Sequence, residues 1–464
     1  MEKLKKDNLS IIETVALSVA IIAPTASMSL NISLMAKTDK FSSPLVFLIS
    51  TIIVGIVSYS VIKFNTCMST AGSLYTFTKE ALGRRVGFIS GWSLLFAYMA
   101  LAAGCSAGAG AFTSKLLLSV FGIHVGWLPL SIVISMIMII LGITDAKIST
   151  RIMLTMEGIS ILLILALSIV IIFKVAFTKG LTIAPFKLNG VKTSAIASTS
   201  VLAFLSFIGF ESASSLGEET KEPHKCIPIA IGSAVFVTGV FYLLSSYAQV
   251  IGFGLDAKGL KAITASTLPL SDLAGIYASK GFGTLLILSA SLSFFSCALG
   301  SVCAGARMLF SMSRDGLMHK SMKKVNRRYN TPYVALILIV TVDLIGQILF
   351  FNKDGIDVFS YYGTIGSLAI LVSYIFTSVG AIVYFTKKKI WNALHLIIPI
   401  LGIVSLLYVL WSSIYPIPEF PQNLFPYIVL AWIVLGVILS KLFSKKEVYV
   451  ETDKQEELIV ENAN

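Results

Sequence analysis

Apolar residues fall in long runs along this chain, separated by short polar stretches that carry most of the charged residues. Each run is at least about as long as the roughly 20 residues that a helix needs to cross a bilayer. The runs cover residues 10–36, 44–64, 86–117, 125–144, 152–177, 193–216, 228–253, 282–312, 332–351, 356–384, 390–413 and 423–443. This pattern predicts an all-α integral membrane protein with about twelve transmembrane helices.

The sixth run is interrupted at its centre by Phe207-Ile208-Gly209-Phe210-Glu211-Ser212. A carboxylate at that depth costs about 3 kcal/mol, so a helix that only had to sit in lipid would not carry one. Gly209 permits the backbone to unwind, and Phe207 and Phe210 offer apolar area to a ligand side chain. Glu211 must be protonated or paired, as a proton carrier, a gate partner or a structural acid. A packing glycine among core phenylalanines is the alternative reading.

The first run has a matching interruption at Ala23-Pro24-Thr25-Ala26-Ser27. Proline predicts that the helix stops near Ala23 and restarts near Thr25 or Ala26, unless Pro24 only kinks it. The restarted half presents backbone N–H groups and the positive end of its dipole, which suit an anionic group. The stopped half presents carbonyls, which suit an ammonium. Two interrupted spans, each leading a set of five, predict a transporter's substrate site.

Composition narrows the class of protein. Of 464 residues, 56% are hydrophobic and only 13% are charged, which leaves no room for a large soluble domain. The net charge of +12 does not indicate nucleic-acid binding, because the basic residues lie in short loops. Most of them fall on the side that holds both termini, which predicts cytoplasmic N- and C-termini. The N-terminal lysines precede a run too long for a signal peptide, so we expect an uncleaved first span.

Cysteine and histidine give no sign of a metal centre or an enzyme. The five cysteines and four histidines are scattered, without disulfide, zinc or catalytic spacing. We therefore expect no metal, no cofactor and no catalytic residues. Asp343, inside the ninth run, is expected to make a polar packing contact. Residues 73–82 predict a short helix at the inner surface, and residues 255–280 predict a helical lid.

The sixth-span segment and three further motifs resemble the amino acid–polyamine–organocation (APC) transporters. The sixth-span segment continues through Glu218-Glu219-x-Lys221-x-Pro223 to Ile227-Pro228. The other motifs are Ala71-Gly72-Ser73-Leu74-Tyr75 through Ala81-Leu82-Gly83, then Gly91-Trp92, and Arg307 through Ser313-Arg314-Asp315-Gly316 with Thr331-Pro332 beyond. They occur in the family's order over roughly the first 330 residues. The chain is thus identified by resemblance as a member of this superfamily.

The resemblance implies a leucine-transporter-type core with helices one and six unwound in mid-membrane. Its inverted five-helix repeats would cover residues 10–177 and 193–384, within a transport core at 10–384. Residues 1–9 would be a cytoplasmic N-terminus, 390–443 two added spans and 444–464 a cytoplasmic tail, expected to be disordered. The resemblance also implies that a substrate carboxylate meets the N–H groups of Thr25, Ala26 and Ser27. The amino group of the substrate would meet carbonyls near Ile22, Ala23, Phe207 and Ile208, beside Gly209 and Phe210.

This sequence departs from the family where a gate and a coupling ion are expected. Leu205 stands where some exchangers carry a gating tryptophan. Some proton-coupled members have a fifth-span lysine; here that region has Glu157, either a proton site or a partner of Arg151. A sodium site would need oxygens from residues such as Ser291, Ser293 and Ser296. Tyr98 and Tyr374 are either pathway residues or interface tyrosines.

We therefore predict a secondary active transporter that moves amino acids across the plasma membrane by alternating access, as a symporter or antiporter. The apolar site favours neutral amino acids, with coupling to an ion, the proton foremost, or by exchange. The partners are a small-molecule amino acid, membrane lipid and a proton or sodium ion, with no nucleic acid. A polyamine or cationic amino acid transporter is the alternative. A nutrient-sensing receptor or channel on the same fold is more remote, and the oligomeric state stays open.

Overall fold

The computed structural model describes residues 4–188, 191–389, 392–415 and 417–441, and the repetitive secondary structure in these ranges is helical. Helices are expected because a chain in lipid must satisfy its backbone polar groups within each segment. The long helices are α1 (Ile11–Ile22), α2 (Pro24–Asp39), α3 (Ser43–Cys67), α5 (Arg84–Phe121), α6 (Trp127–Ile143), α7 (Ala146–Thr178), α8 (Thr193–Leu205), α9 (Pro223–Phe253), α12 (Lys280–Arg314), α13 (Tyr333–Leu349), α14 (Gly355–Lys387), α15 (Leu394–Ile414) and α16 (Gln422–Lys441). The predicted tail at 444–464 lies outside the described residues.

Ten helical segments of the described chain are long and apolar enough to cross a membrane, counting α1 with α2 and α8 with the segment after it. α6 and α13 are apolar but shorter, with 17 residues each. They lie where the fourth and ninth spans are predicted. A helix of that length extends about 26 Å, slightly less than the hydrocarbon thickness of a typical bilayer. The chain is therefore a multi-pass helical membrane protein.

The segments between the long helices include three short amphipathic helices. α4 (Leu74–Leu82) confirms the predicted helix at residues 73–82, and α10 (Ala257–Ala265) and α11 (Pro269–Tyr277) confirm the helical character of residues 255–280. α10 and α11 both contact α2. They therefore lie beside α2 at the end of the bundle at which α2 stops.

The helices pack around α5, which makes its largest interfaces with α12 and α14. Small residues on α5 allow this close approach. A side-chain carbon on Gly108 would lie 2.8 Å from the Phe294 ring of α12, and one on Gly104 would lie 3.0 Å from Tyr362 of α14. Asp343 is fully buried on α13 and accepts hydrogen bonds from Gln347 (2.6 Å) and Ser135 (2.8 Å). This confirms the predicted polar packing contact.

One end of the bundle, here called the N-terminal end, is closed by polar contacts; the other is called the distal end. The segment before α1 pairs with the segment before α9, since Asn8 and Leu9 donate to the Glu219 carbonyl (2.8 and 3.0 Å). The N–H of Lys221 donates back to the Leu9 carbonyl (2.9 Å). We call these paired segments the N-terminal strap. Arg307 of α12 pairs with the Glu219 carboxylate (2.5 Å), and both side chains are buried. The strap is thus fixed to the core by a buried ion pair.

Candidate functional site

The first interruption lies between α1 and α2. α1 ends at Ile22, Ala23 adopts the left-handed conformation (φ 48°, ψ 61°), and α2 begins at Pro24. A left-handed alanine is uncommon, and proline at the first position of a helix needs no N–H donor of its own. The backbone therefore changes direction at Ala23 while a helix continues on either side.

The second interruption follows α8, which ends at Leu205. Residues 206–209 form turns, and a 3₁₀ segment then runs over Phe210–Leu216. Gly209 has φ 105°, a conformation that L side chains rarely adopt, and a side-chain carbon there would clash with Ile21. Only glycine fits this position, because it must combine a positive φ with close approach to the first interruption.

Side-chain hydrogen bonds join the two interruptions directly. The Ser18 hydroxyl donates to the Phe210 carbonyl (2.7 Å) and accepts from the Ala213 N–H (3.3 Å). On the other side of the break, the Asn31 amide donates to the Ser206 hydroxyl (2.7 Å). The two broken segments, almost two hundred residues apart in the chain, therefore form one unit.

A cavity of about 130 Å³ lies beside the two interruptions. Its wall comes from α1, α2, α5, α8, the turn after α8, α12 and α14. The residues that line it are Ile21, Ile22, Ala23, Ala26, Ser27, Leu30, Asn31, Leu34, Leu101, Cys105, Leu202, Leu205, Ser206, Ile208, Phe294, Cys297, Ile356, Phe359, Ser360, Gly363, Thr364 and Ser367. No charged side chain is among these described residues. Its exposed or part-exposed residues, such as Leu34 and Ser360, lie towards the distal end, so the cavity opens there.

The structure separates the predicted site residues into two groups. Ile22, Ala23, Ala26, Ser27, Leu205 and Ile208 line the cavity, whereas Thr25, Phe207, Gly209 and Phe210 lie behind its wall. The Phe207 ring packs edge-on against Tyr242 at 4.9 Å, and the Phe210 ring stacks on Tyr374 at 5.1 Å. Both phenylalanines are fully buried. They therefore support the turn from behind.

The sequence did not predict the part of the cavity wall that the uninterrupted helices α5, α12 and α14 supply. Leu101 and Cys105 come from α5, Phe294 and Cys297 from α12, and Phe359 and Thr364 from α14. None of these helices carries a break that would mark it as part of a site. The thiols of Cys105 and Cys297 lie 3.2 Å apart, and Cys297 also donates to the Ile21 carbonyl (3.0 Å).

The N–H groups at the start of α2 have partners in this structure. Thr25 donates to a carboxylate oxygen of Glu157 on α7 (3.1 Å), and Ala26 donates to the Ser293 hydroxyl on α12 (3.1 Å). The Ser27 N–H donates within the helix to the Ala23 carbonyl (3.1 Å). Side chains of α7 and α12 therefore occupy the positive end of α2, where a ligand carboxylate was expected.

Glu157 does not pair with Arg151, so that alternative is wrong. Arg151 instead pairs with Glu13 at the start of α1 (2.9 Å). Glu157 is buried, and its second carboxylate oxygen has no hydrogen-bond partner among the described residues, like the nearby hydroxyl of Thr25. A buried carboxyl with a vacant acceptor position, attached to the interruption of the first span, is unusual enough to carry a functional hypothesis.

Glu211 lies outside the cavity, on its N-terminal side. Its two carboxylate oxygens accept hydrogen bonds from Tyr98 of α5 (2.8 Å) and Tyr374 of α14 (2.5 Å). All three side chains are buried. Tyr98 and Tyr374 thus contact Glu211 and do not line the cavity, and together the three groups join the 3₁₀ segment to two long helices.

These features define a multi-pass helical membrane protein in which two interrupted helices meet at a cavity open at one end. A family model described as amino acid permease matches residues 9–438. The chain therefore belongs to the amino acid permease family, and its function is amino acid transport across a membrane. This agrees with the resemblance to APC transporters found in the sequence.

Curated relatives cover most of the chain at low identity. The branched-chain amino acid permease BcaP of Bacillus subtilis is 27% identical, with 83% of this chain and 82% of the relative covered. The methylthioribose transporter of Bacillus subtilis is 24% identical, with 86% and 85% covered. The vacuolar cationic amino acid transporter 4 of Arabidopsis thaliana is 26% identical, with 58% and 46% covered. All three are named as transporters or permeases, not as enzymes.

Proposed function

We propose that the protein transports neutral amino acids with apolar side chains by alternating access. The observation that carries this proposal is the cavity beside the two interruptions, whose described wall is largely apolar and holds no charged side chain. Leu101, Phe294 and Phe359 offer an apolar surface to the substrate side chain. Backbone groups at the interruptions offer polar positions to its charged ends without a buried counter-ion.

The ammonium of the substrate binds backbone carbonyls in this proposal. The carbonyls of Ile22 and Ile208, both residues of the cavity wall, accept no hydrogen bond within the described chain. Unpaired carbonyl groups at a cavity are suitable acceptors for an ammonium. The substrate carboxylate binds the N–H groups of Thr25 and Ala26 by displacing Glu157 and Ser293, which now accept from them. It also approaches the Ser27 N–H, which it would share with the Ala23 carbonyl. That exchange connects substrate binding to Glu157 and Ser293.

The same cavity disfavours the polyamine and cationic alternatives. A cationic side chain buried without an acidic partner costs several kcal/mol. Glu157 and Glu211 are the nearby buried acids, but neither lines the described cavity. The branched-chain permease among the relatives agrees with an apolar side-chain site, and the cationic transporter among them does not.

We propose that Glu157 couples transport to the proton. Its carboxyl lies at the start of α2 with one oxygen unpaired, and no cationic side chain is paired with it in the described chain. A proton taken up here neutralises the carboxylate and weakens it as an acceptor for the Thr25 N–H. Protonation of Glu157 is thereby linked to the backbone at the first interruption. Ser293 at the same position keeps a sodium ion as the second candidate.

The transport proposal is tested by uptake into proteoliposomes of purified protein. A panel of labelled leucine, isoleucine, valine, alanine, arginine and putrescine is offered with a proton gradient, a sodium gradient or neither. We expect uptake of leucine, isoleucine and valine, stimulated by a proton gradient. Uptake of arginine or putrescine above that of leucine would contradict the apolar site, and stimulation by sodium alone would contradict the role of Glu157.

A matched pair of variants tests the coupling group. Glu157→Gln keeps the size of the side chain but cannot exchange a proton, so we expect uptake that no longer responds to the proton gradient. Glu80→Gln, on the exposed face of α4, is the control and should respond like the unmodified protein.

The proposed setting is the plasma membrane with both termini cytoplasmic, which proteolysis of a C-terminal tag in intact and opened cells would test.

A further inference from the structure

A second cavity lies on the outside of the bundle, away from the two interruptions. It is a groove of about 510 Å³ between α5, α13 and α16, closed at the N-terminal end by the segment after α12. The residues that line it are Trp92, Leu95, Phe96, Met99, Ala100, Ala103, Leu309, Met318, His319, Met322, Leu338, Val342, Ile345, Gly346, Leu349, Tyr362 and Trp432. Apart from His319 and the Tyr362 hydroxyl, its side chains are apolar or indole.

The indole N–H groups and the tyrosine hydroxyl of the groove wall are already paired, so these groups offer little to a polar ligand. The indoles of Trp92 and Trp432 stack at 4.4 Å, and each N–H donates to the other residue's backbone carbonyl (2.9 Å). The Tyr362 hydroxyl donates to the Gly346 carbonyl (2.9 Å). A polar group entering the groove would lose its water without gaining partners, which selects for an alkyl chain.

The groove opens towards the surface along one face of α13. Leu338, Val342, Ile345 and Leu349 follow a spacing of four, three and four residues, which places them on one side of a helix. They are 40, 36, 53 and 70% exposed, respectively. In a multi-pass membrane protein this face borders the lipid, so the groove is accessible to lipid chains.

A strongly basic segment lies at the N-terminal end of the groove. Lys320, Lys323, Lys324, Arg327 and Arg328 are exposed and make no ion pair within the described chain. Three basic groups of the neighbouring segments are paired, since Arg307 binds Glu219, Arg314 binds Glu218 and Lys79 binds Asp315. The five unpaired cations therefore form a local positive surface.

The groove and the basic segment meet in one short turn. Residues 320–323 form a 3₁₀ turn capped by His319. Side chains three residues apart lie above one another in such a turn. His319 and Met322 therefore share the face that lines the groove, and Lys320 and Lys323 share the neighbouring exposed face. A ligand chain in the groove would have its head at the lysines.

We propose that this groove binds an acyl chain of an anionic phospholipid, with the phosphate held by the lysines of residues 320–324. The apolar groove, open to the surrounding lipid, matches the acyl chain of such a lipid. The basic segment at one end of the groove matches its phosphate. A neutral lipid would leave the cations unused, and a second copy packed here about a two-fold axis would bring the same basic segment to this surface. The lipid would join α13 and α16 to α5, the helix that carries Tyr98.

The test is lipid binding by the purified full-length protein in detergent, measured by native mass spectrometry. Phosphatidylglycerol and phosphatidylcholine with identical chains compete as probes. We expect phosphatidylglycerol to bind in preference. The variant Lys320→Gln/Lys323→Gln/Lys324→Gln should lose that preference, by about fivefold in relative affinity for each lysine that contacts the phosphate. The control Lys387→Gln/Lys388→Gln/Lys389→Gln, an exposed triplet at the end of α14, should keep it.

A second pair of variants separates the groove from the charges. Val342→Trp fills the groove from its open face, and we expect it to weaken binding of both lipids. Ile348→Trp is the control, because Ile348 is 53% exposed on α13 but does not line the groove. Equal binding of the two lipids by the unmodified protein would overturn the proposal, as would a preference that survives the lysine changes. Concentration-dependent dimers blocked by Val342→Trp would assign the groove to a second copy instead.

Discussion

At the scale of single residues, Gly209 is the position where the structure tolerates least change. Its φ of 105° and its contact with Ile21 both exclude a side-chain carbon. We expect Gly209→Ala to abolish amino acid uptake, because the turn after α8 must move away from the first interruption. Gly158→Ala is the control, since a carbon there meets no atom within 4 Å. Uptake by Gly209→Ala at the rate of Gly158→Ala would remove the turn from the site.

The residues that bend the backbone were visible in the sequence, whereas their partners were not. Proline restricts the backbone and glycine frees it at any position in a chain, so a single sequence reveals Pro24 and Gly209 as candidate breaks. The contacts Thr25–Glu157 and Ala26–Ser293 join residues 132 and 267 positions apart. Only the fold brings these pairs together. The cavity wall from α5, α12 and α14 is hidden for the same reason.

A second prediction at this scale concerns the hydroxyl groups that hold Glu211. Tyr374→Phe removes one of the two donors to a buried carboxyl, and a hydrogen bond to such a group is worth about 1–3 kcal/mol. We expect a lower melting temperature and slower uptake. Tyr247→Phe, which loses an exposed bond to the Thr182 carbonyl, is the control and should change little. The comparison requires thermal unfolding and uptake of both variants.

At the scale of elements, the apolar runs predicted where helices lie, and the breaks divided two of them. The run at 193–216 is α-helical only to Leu205 and continues as turns and a 3₁₀ helix. The period of apolar residues cannot reveal that division, because the residues on both sides remain buried and apolar. Helix ends depended instead on local residues, such as Asp145, whose side chain accepts the Lys147 N–H at the start of α7 (3.0 Å).

Asp145 also joins the start of α7 to the segment before α1, which gives a pH-dependent prediction. Burial alone would raise its pKa, but hydrogen bonds from Lys5, Asn8 and the Lys147 N–H outweigh burial and lower the pKa. The ionised form therefore stabilises the fold above the unfolded pKa of about 4, and the contribution is lost as the pH falls through the lower folded value. We expect Asp145→Asn to lower the melting temperature at pH 7, and we expect the difference from the unmodified protein to shrink as the pH is taken from 7 to values below 4. A constant difference across this range would contradict it.

At the scale of the whole molecule, the structure is closed at the N-terminal end and open at the distal end. The closure consists of the N-terminal strap, the pair Arg307–Glu219 and the two tyrosines on Glu211. In the proposed alternating-access mechanism, these contacts would separate when the distal end closes. The sequence predicted which helices break but not this state, because the difference between two conformations of one chain leaves no local pattern.

The buried pair Arg307–Glu219 provides the test of that closure. Arg307→Met leaves the Glu219 carboxylate buried without its partner, which costs about 3–5 kcal/mol in comparable cases. We expect faster hydrogen exchange at the amides of Leu9 and Lys221, which pair across the strap, and a cavity that becomes accessible from the N-terminal end. Arg314→Gln is the control, because its pair with Glu218 is partly exposed and worth about 1 kcal/mol or less. Exchange at the strap that is unchanged in Arg307→Met would show that the ion pair does not hold this end closed.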